Sequence, residues 1–476
     1  MMPLFLVGCT APSLEAQDET AANAPLEACE GARVFWGDLT FEGDDISTGL
    51  RALTAEFEAV SGNLSIVRST ATNLEGARGL RCVGGRLYLG SNPELASLSG
   101  LDDLEHVGES VSLRGNPKLA DLSGLGSLTT IGGTLDIEDN VAMTSTRGLD
   151  NLTSVAEIKL TALPALVDVD GFVLLESVGA VRLEVLPFLG DLSGLDSLRS
   201  ADTFAISNAL ILPSLAGLTE LEAVGDLYLD EIPKLVQLGA IPNLRQVDTL
   251  RVLNTGLHTL EGLDGVSEIG YFELEYLPEL VSLDGLSGLT ALRDLRLYNV
   301  PKLGSLTGLA TASGLEYVYI GYANTLPSLA GLPAANPTAL FTLDMVACPA
   351  LADLSAVAGV QRFDTLQLRE LGGITSLAGL ESAETASRVN LSANPLLASL
   401  SGLDALAAVG TEDGHLGSVV IQDNPLLASL VGWNALRQVG GDLMVSDNAS
   451  LPQADAETWA GQIEVEGSVI LSGNAL

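Results

Sequence analysis

Residues 87–108 read Leu87-x-Leu89-x-x-Asn92-Pro93-x-Leu95-x-x-Leu98-x-Gly100-Leu101-x-x-Leu104-x-x-Val107-Gly108. The same phrase follows at once as Val111-x-Leu113-x-x-Asn116-Pro117-x-Leu119-x-x-Leu122-x-Gly124-Leu125-x-x-Leu128-x-x-Ile131-Gly132. Moving outward in both directions, the first aliphatic of the pair recurs near 39, 64, 87, 111, 135, 158, 181, 204, 227, 250, 272, 295, 318, 343, 366, 389, 419, 443 and 469. Two leucines separated by one residue point the same way on a strand, and the residue between them points out. Aliphatics at every third position then suit a turn-rich or 3-10 return whose apolar side faces the same interior. One such coil cannot bury its leucines alone. Stacked coils bury them and align their strands into a parallel sheet.

A repeat of about 24 residues lies inside the 20–29 window of leucine-rich solenoids. The predicted fold is therefore a right-handed parallel β-solenoid of about 19 coils over residues 29–476, with turn or 3-10 returns and little helix. Gly-Gly and Ser-x-Gly steps (Gly132-Gly133, Gly440-Gly441, Ser99-Gly100) are expected to turn corners at positive φ. After the strand comes Asn92, Asn116, Asn140, Asn394, Asn424, Asn448 or Asn474, whose amides can satisfy turn backbone coil after coil. Central coils place Leu163, Leu186, Ile232, Leu277, Val300, Cys348 and Leu371 there, so they are predicted to turn differently. Cys348 reads as a buried small hydrophobe. Residues 453–463 form the one good helix candidate, covering the end of the solenoid, and Gly410–Gly417 is predicted to loop out.

Composition excludes several functions. The 476 residues carry 61 acidic and 22 basic side chains, a net charge of −39. No basic stripe exists to displace the counterions of a phosphate backbone, so no nucleic-acid partner is expected. The three histidines (His106, His258, His415) lie in different coils and read as solvated loop residues. Neither Asp168-Val169-Asp170-Gly171 nor Asp136 with Glu138, Asp139 and Asn140 carries a full twelve-residue calcium loop. No catalytic residue, metal site or cofactor is expected. The acidic excess solubilises an aliphatic repeat.

The chain opens with an apolar segment ending Leu6-Val7-Gly8-Cys9, which resembles the lipobox of bacterial lipoproteins. The resemblance implies a short signal peptide at 1–8, lipid on Cys9 and membrane attachment; Thr10, which is not aspartate, favours the outer membrane. Only eight residues precede Cys9 and none is basic, which departs from a full signal. The alternative is a short apolar start of a chain that is not exported. Residues 9–28 read as a flexible tether. Export permits disulfides, and Cys29 with Cys82 is the plausible pair, the alternative being two free thiols.

Val107-Gly108, Ile131-Gly132-Gly133 and Val439-Gly440-Gly441-Asp442-Leu443 resemble the receptor L-domain family, the leucine-rich ligand-binding domains of insulin- and EGF-type receptors, and its bacterial relatives. The pattern is also similar to the leucine-rich repeats of internalins. Asn448, Leu451, Trp459 and Ile463 resemble the family's closing segment, without the cysteine that usually accompanies it. The resemblance covers about residues 29–476 and speaks to fold more than to function.

Seven of the eight tyrosines lie between 228 and 322. Tyr228 and Tyr319 stand between paired aliphatics and so face out; Tyr271, Tyr298 and Tyr317 flank such pairs, and Arg251 and Arg296 take equivalent outward places. Tyr and Arg supply rigid amphipathic contact area. Two readings follow: a patch that binds a protein or glycan at the cell surface or in the periplasm, or cross-strand packing that shields the sheet. The function expected is a non-enzymatic, lipid-anchored recognition or adhesion module of a bacterial cell envelope. The alternatives are an envelope spacer without a ligand and, less favoured because outward Asp136 and Asp344 are scattered, a carbohydrate-active enzyme.

Overall fold

A computed structural model describes residues 4–7, 29–336, 339–410 and 417–475. The chain is a parallel β-solenoid of about 19 turns, and every predicted leucine pair sits on a strand. Within one coil the strand Leu87–Gly90 sends Leu87 and Leu89 inward. The return path then buries Leu95, Leu98, Leu101, Leu104 and Val107 completely or nearly so. Each buried leucine contributes roughly 2 kcal/mol of transfer free energy. The returns are turns or single 3-10 turns such as Ser123–Leu125, Asp170–Phe172 and Ser193–Leu195.

Contacts divide the chain at Leu244/Arg245 into two units. In the first, the anchor strands from Leu39–Gly43 to Ala223–Ile232 pair in sequence order, all parallel. Leu4–Val7 runs parallel to Leu39–Gly43. In the second, the same holds from Gln246–Thr255 to Val469–Ser472.

Coils differ in how strand is distributed. Flanking coils split it, as in His106–Val107 followed by Val111–Arg114, or Gln438–Val439 followed by Leu443–Ser446. Most central coils run it unbroken over eight to ten residues, as in Ser154–Thr161 and Gln246–Thr255, whereas the coil with Ser313–Leu315 and Tyr317–Gly321 splits it. The spacing also differs by one residue. Three residues separate Val107 from Val111, whereas two separate Val155 from Ile158. Where the longer spacing meets the shorter, the pairing register shifts between Ile131 and Thr134.

The turn after the strand corrects one expectation. Central and flanking coils turn alike: the residue before the Asn or aliphatic position is left-handed everywhere, with φ of 56° at Ser91, 57° at Val185, 53° at Tyr276 and 54° at Asp423. Only the acceptor for the following N–H changes. Asn424 N–H donates to Asn448 Oδ1 at 3.1 Å, whereas Leu186 and Leu277 donate to the backbone carbonyls of Asn208 and Asn299, both at 3.2 Å. Asn424 Nδ2 also donates to Leu391 O at 2.9 Å. Cys348 imitates that amide, its thiol donating to Val346 O at 3.4 Å and Ile320 O at 3.7 Å. Burial pushes this thiol up to about 11.

Glycine serves two purposes. Gly100 has φ of +109°, and a Cβ there would strike the Leu74 carbonyl of the preceding coil. Gly132, expected at positive φ, is not; a Cβ there would strike the Gly108 carbonyl, so close approach of stacked coils demands the residue.

Two α-helices occur among the described residues, where one was expected. Helix α1 (Ile46–Glu56) replaces the usual return, burying Ile46, Leu50 and Leu53 at helical spacing, and Thr54 Oγ1 donates to Gly76 O at 3.1 Å. Helix α2 (Gln453–Ala460) ends three residues before the predicted boundary, and Trp459 Nε1 donates to Trp433 O at 3.3 Å. Neither is long and apolar enough to cross a membrane. Cys29 and Cys82 are joined by a disulfide, with Cα atoms 6.3 Å apart, beside buried Ala59. Gly410 and Gly417 meet backbone to backbone; residues 411–416 between them lie outside the described residues, as does Cys9 with the rest of 8–28.

Candidate functional site: an aromatic and arginine face

Strand alternation sets outward side chains in columns, because in-register residues of successive coils stand side by side. In the second unit the first column runs Thr249, Tyr271, Asp294, Tyr317, Thr342. The second runs Arg251, Glu273, Arg296, Tyr319, Asp344, and the third Leu253, Glu275, Tyr298, Gly321, Val346.

Two acids of the second column are paired, Glu273 from within the column and Asp344 by Arg369, which lies in register with Val346 of the third. Arg251 Nε donates to Glu273 Oε2 at 2.6 Å, and Arg369 Nη2 to Asp344 Oδ1 at 3.2 Å. Between these pairs stands Arg296, whose neighbour away from Glu273 is Tyr319 rather than an acid. Its guanidinium carbon lies 4.4 Å from the Tyr317 ring centre and 5.2 Å from that of Tyr271, a cation held between two rings. Its Nε is buried with no hydrogen-bond partner. Among the described residues Arg296 has no ion-pair partner.

Beside it the tyrosines pack on one another. Tyr298 stacks on Tyr319 at 6.1 Å and takes Tyr276 and Tyr322 edge-on at 5.5 and 5.3 Å. Gly321 makes the stack possible, since a Cβ there would lie 2.9 Å from Tyr319 Oη and 3.2 Å from the Tyr298 ring. Burial raises the hydroxyls of Tyr271, Tyr298 and Tyr317. Tyr319 is pushed up to about 12, by burial first and then by the Asp344 charge. All four remain protonated donors near neutral pH.

The structure thus brings together Arg251, Tyr271, Arg296, Tyr298, Tyr317 and Tyr319. Tyr228 belongs to the first unit, on Ala223–Ile232, where its hydroxyl donates to Asp230 Oδ2 at 3.0 Å. Tyr276 and Tyr322, absent from the expected site, join the cluster from the left-handed turn positions, 42% and 43% exposed. Their signal was available: each directly follows the strand, at the recurring turn.

The first unit's outer face is dominated by ion pairs. Arg182 Nε meets Glu157 Oε1 at 3.0 Å, and Arg114 pairs with both Asp136 and Glu138. Asp136 stands outward in register, yet it is buried against Arg114. Asp170, part of the suspected calcium stretch, is paired with Arg147 at 3.0 Å, and Ser145 Oγ donates to Asp168 at 2.5 Å. Among the described residues no group of three or more His, Cys, Asp or Glu is placed to hold a metal ion. His258 is exposed as expected, but His106 is half-buried on the strand His106–Val107, between Cys82 and Thr130; His415 lies outside the described residues.

No protein-family model and no curated protein matches this sequence. Among solved structures, the crystal structure of the TLR13-ssRNA13 complex is similar with a TM-score of 0.34 and 14% identity, over 92% of this chain and 78% of that one. The functional domain of InlJ from Listeria monocytogenes, described as including a cysteine ladder, is similar with a TM-score of 0.29 and 17% identity, over 69% of this chain and 73% of that one.

Proposed function

We propose that the chain is a non-enzymatic recognition module of a bacterial cell envelope and that the outer sheet face of its second unit binds a protein or glycan partner. One observation carries this reading. Two tyrosines hold a guanidinium without an acid partner, four more pack beside them, and the nearest acids of its column, Glu273 and Asp344, are already paired. Such a face offers ring surfaces, protonated hydroxyls and a planar cation, and it lacks a nucleophile–base pair. Attachment through lipid on Cys9, in an outer membrane, is supported by Leu6-Val7-Gly8-Cys9 and Thr10. An exported location also agrees with the Cys29–Cys82 disulfide.

Two experiments test the reading. Binding of purified glycans and envelope proteins is compared between the wild type and the triple variant Tyr271→Ser, Tyr317→Ser, Tyr319→Ser. Affinity is expected to fall about a hundredfold or more, since buried tyrosine anchors carry 2 kcal/mol or above each. Unchanged affinity in a folded variant leaves the spacer reading in its place. Metabolic labelling with a fatty acid is expected in the wild type and lost in Cys9→Ala. An unlabelled wild type removes the anchor.

A further inference from the structure

Arg296 separates this face from an ordinary shielded sheet. The acids nearest in its column are already engaged, Glu273 by Arg251 and Asp344 by Arg369. Asp294, two residues before Arg296 on the same strand, sits 3.7 Å from Arg293. The guanidinium is held between the Tyr271 and Tyr317 rings, so its N–H fork is preorganised and little side-chain freedom is lost when a ligand takes it. A planar fork of this kind matches a carboxylate with two parallel hydrogen bonds.

The surroundings narrow the ligand further. One cation is unmatched, and carboxylates stand on either side of it. A ligand with a second negative charge meets repulsion from Glu273, Asp294 and Asp344, and a long polyanion also meets the field of a chain at −39. A ligand rich in hydroxyls fares differently, because those same carboxylates accept its O–H groups and the protonated tyrosines donate to its oxygens. The exposed rings of Tyr276 and Tyr322 supply apolar faces for C–H groups.

We infer that the face takes a glycan through a sugar bearing a single carboxylate, a uronic acid residue, whose carboxylate receives the N–H fork of Arg296. The inference rests on the recognition reading above and narrows it to one ligand class. An acidic peptide run is disfavoured, since its successive carboxylates would oppose the flanking acids.

The test uses the full chain and calorimetric titration with trisaccharides that carry one galacturonic or one glucuronic acid residue among neutral sugars, their methyl esters, and a Glu-rich heptapeptide. At least one acid trisaccharide is expected to bind roughly tenfold or more tightly than its ester, the range of a charge-assisted hydrogen-bond pair. Arg296→Gln is expected to erase that preference. Arg296→Lys, which keeps the charge and loses the fork, should retain only part of it, with circular dichroism and melting confirming that both variants fold. Equal binding of acid and ester overturns the inference, as does a preference that survives Arg296→Gln, or Arg296-dependent capture of the peptide without the sugars. If no uronate binds, the inference fails; the broader reading then stands or falls separately on whether a neutral glycan or protein loses affinity in the Tyr271→Ser, Tyr317→Ser, Tyr319→Ser variant.

Discussion

Within the second unit, the coils ending at Asn394, Asn424, Asn448 and Asn474 and the coils ending at Leu277, Val300 and Cys348 make the same left-handed turn by different means. In the first group each turn is tied to the next through a buried side-chain amide: Asn394 N–H donates to Asn424 Oδ1, and Asn424 N–H to Asn448 Oδ1. In the second, Leu277 N–H donates to the backbone carbonyl of Asn299 instead, and the aliphatic side chain fills the volume. A buried N–H demands an acceptor but does not specify which one. The amide route couples coils through side chains. The aliphatic route adds apolar burial and leaves coupling to the backbone ladder. The first unit repeats the contrast between its Asn92–Asn116–Asn140 ladder and its coil at Leu186.

The largest expected effect is in the middle of an amide ladder. Asn424→Leu orphans the Asn394 N–H and removes the donor to Leu391 O, so it should cost about 3 kcal/mol or more. Hydrogen exchange is expected to show protection lost in residues 389–475. Leu277→Met, a volume-conserving change at the same turn position in a central coil, should cost under about 1.5 kcal/mol. Equal costs would dissolve the distinction between the two kinds of coil.

Cys348 lies between the two kinds, and pH exposes it. Its native value is raised, so its contribution is fully present below the ordinary thiol value of 9.0 and disappears as pH rises toward about 11. At roughly 1.4 kcal/mol per unit the loss amounts to about 3 kcal/mol. Cys348→Asn should abolish this part of the alkaline loss in urea melts at pH 7, 9 and 10.5, and stay within about 1 kcal/mol of wild type at pH 7, because an amide can reach Ile320 O and Val346 O as the thiol does. A larger penalty at pH 7 would mean that a lone amide cannot serve without its ladder.

The smallest effect tests what the coils share. Val185 is β-branched and holds φ of 57°, whereas Asp447 holds φ of 58° with a side chain that tolerates it. Val185→Gly should gain about 1 kcal/mol and Asp447→Gly less, measured as shifts in melting midpoint. A loss at Val185 would show that its side chain contributes more than its backbone strain costs.

Much of this could be read from residue spacing. Leu87 and Leu89 announce a strand because alternation is local, and Leu95, Leu98, Leu101 and Leu104 announce the return for the same reason. Helix α1 was legible too: Ile46, Leu50 and Leu53 carry helical spacing, yet the surrounding repeat conceals them. Tyr271, Tyr317 and Tyr319 were legible as outward residues from the strand period. The turn was not. An aliphatic in place of Asn suggests a different backbone, whereas the carbonyls of Asn208 and Asn299 let the same backbone persist.

Sequence by itself determined the stacked-coil fold and the outward sense of the tyrosines, because burial of leucines depends on spacings of one to three residues. Only the tertiary structure decided that Arg251 and Arg296, equivalent in the repeat, differ: one meets Glu273, the other rests between Tyr271 and Tyr317. In-register residues of adjacent coils lie 22 or 23 residues apart in the chain, and the pairing of stacked strands, rather than any local preference, brings these side chains together.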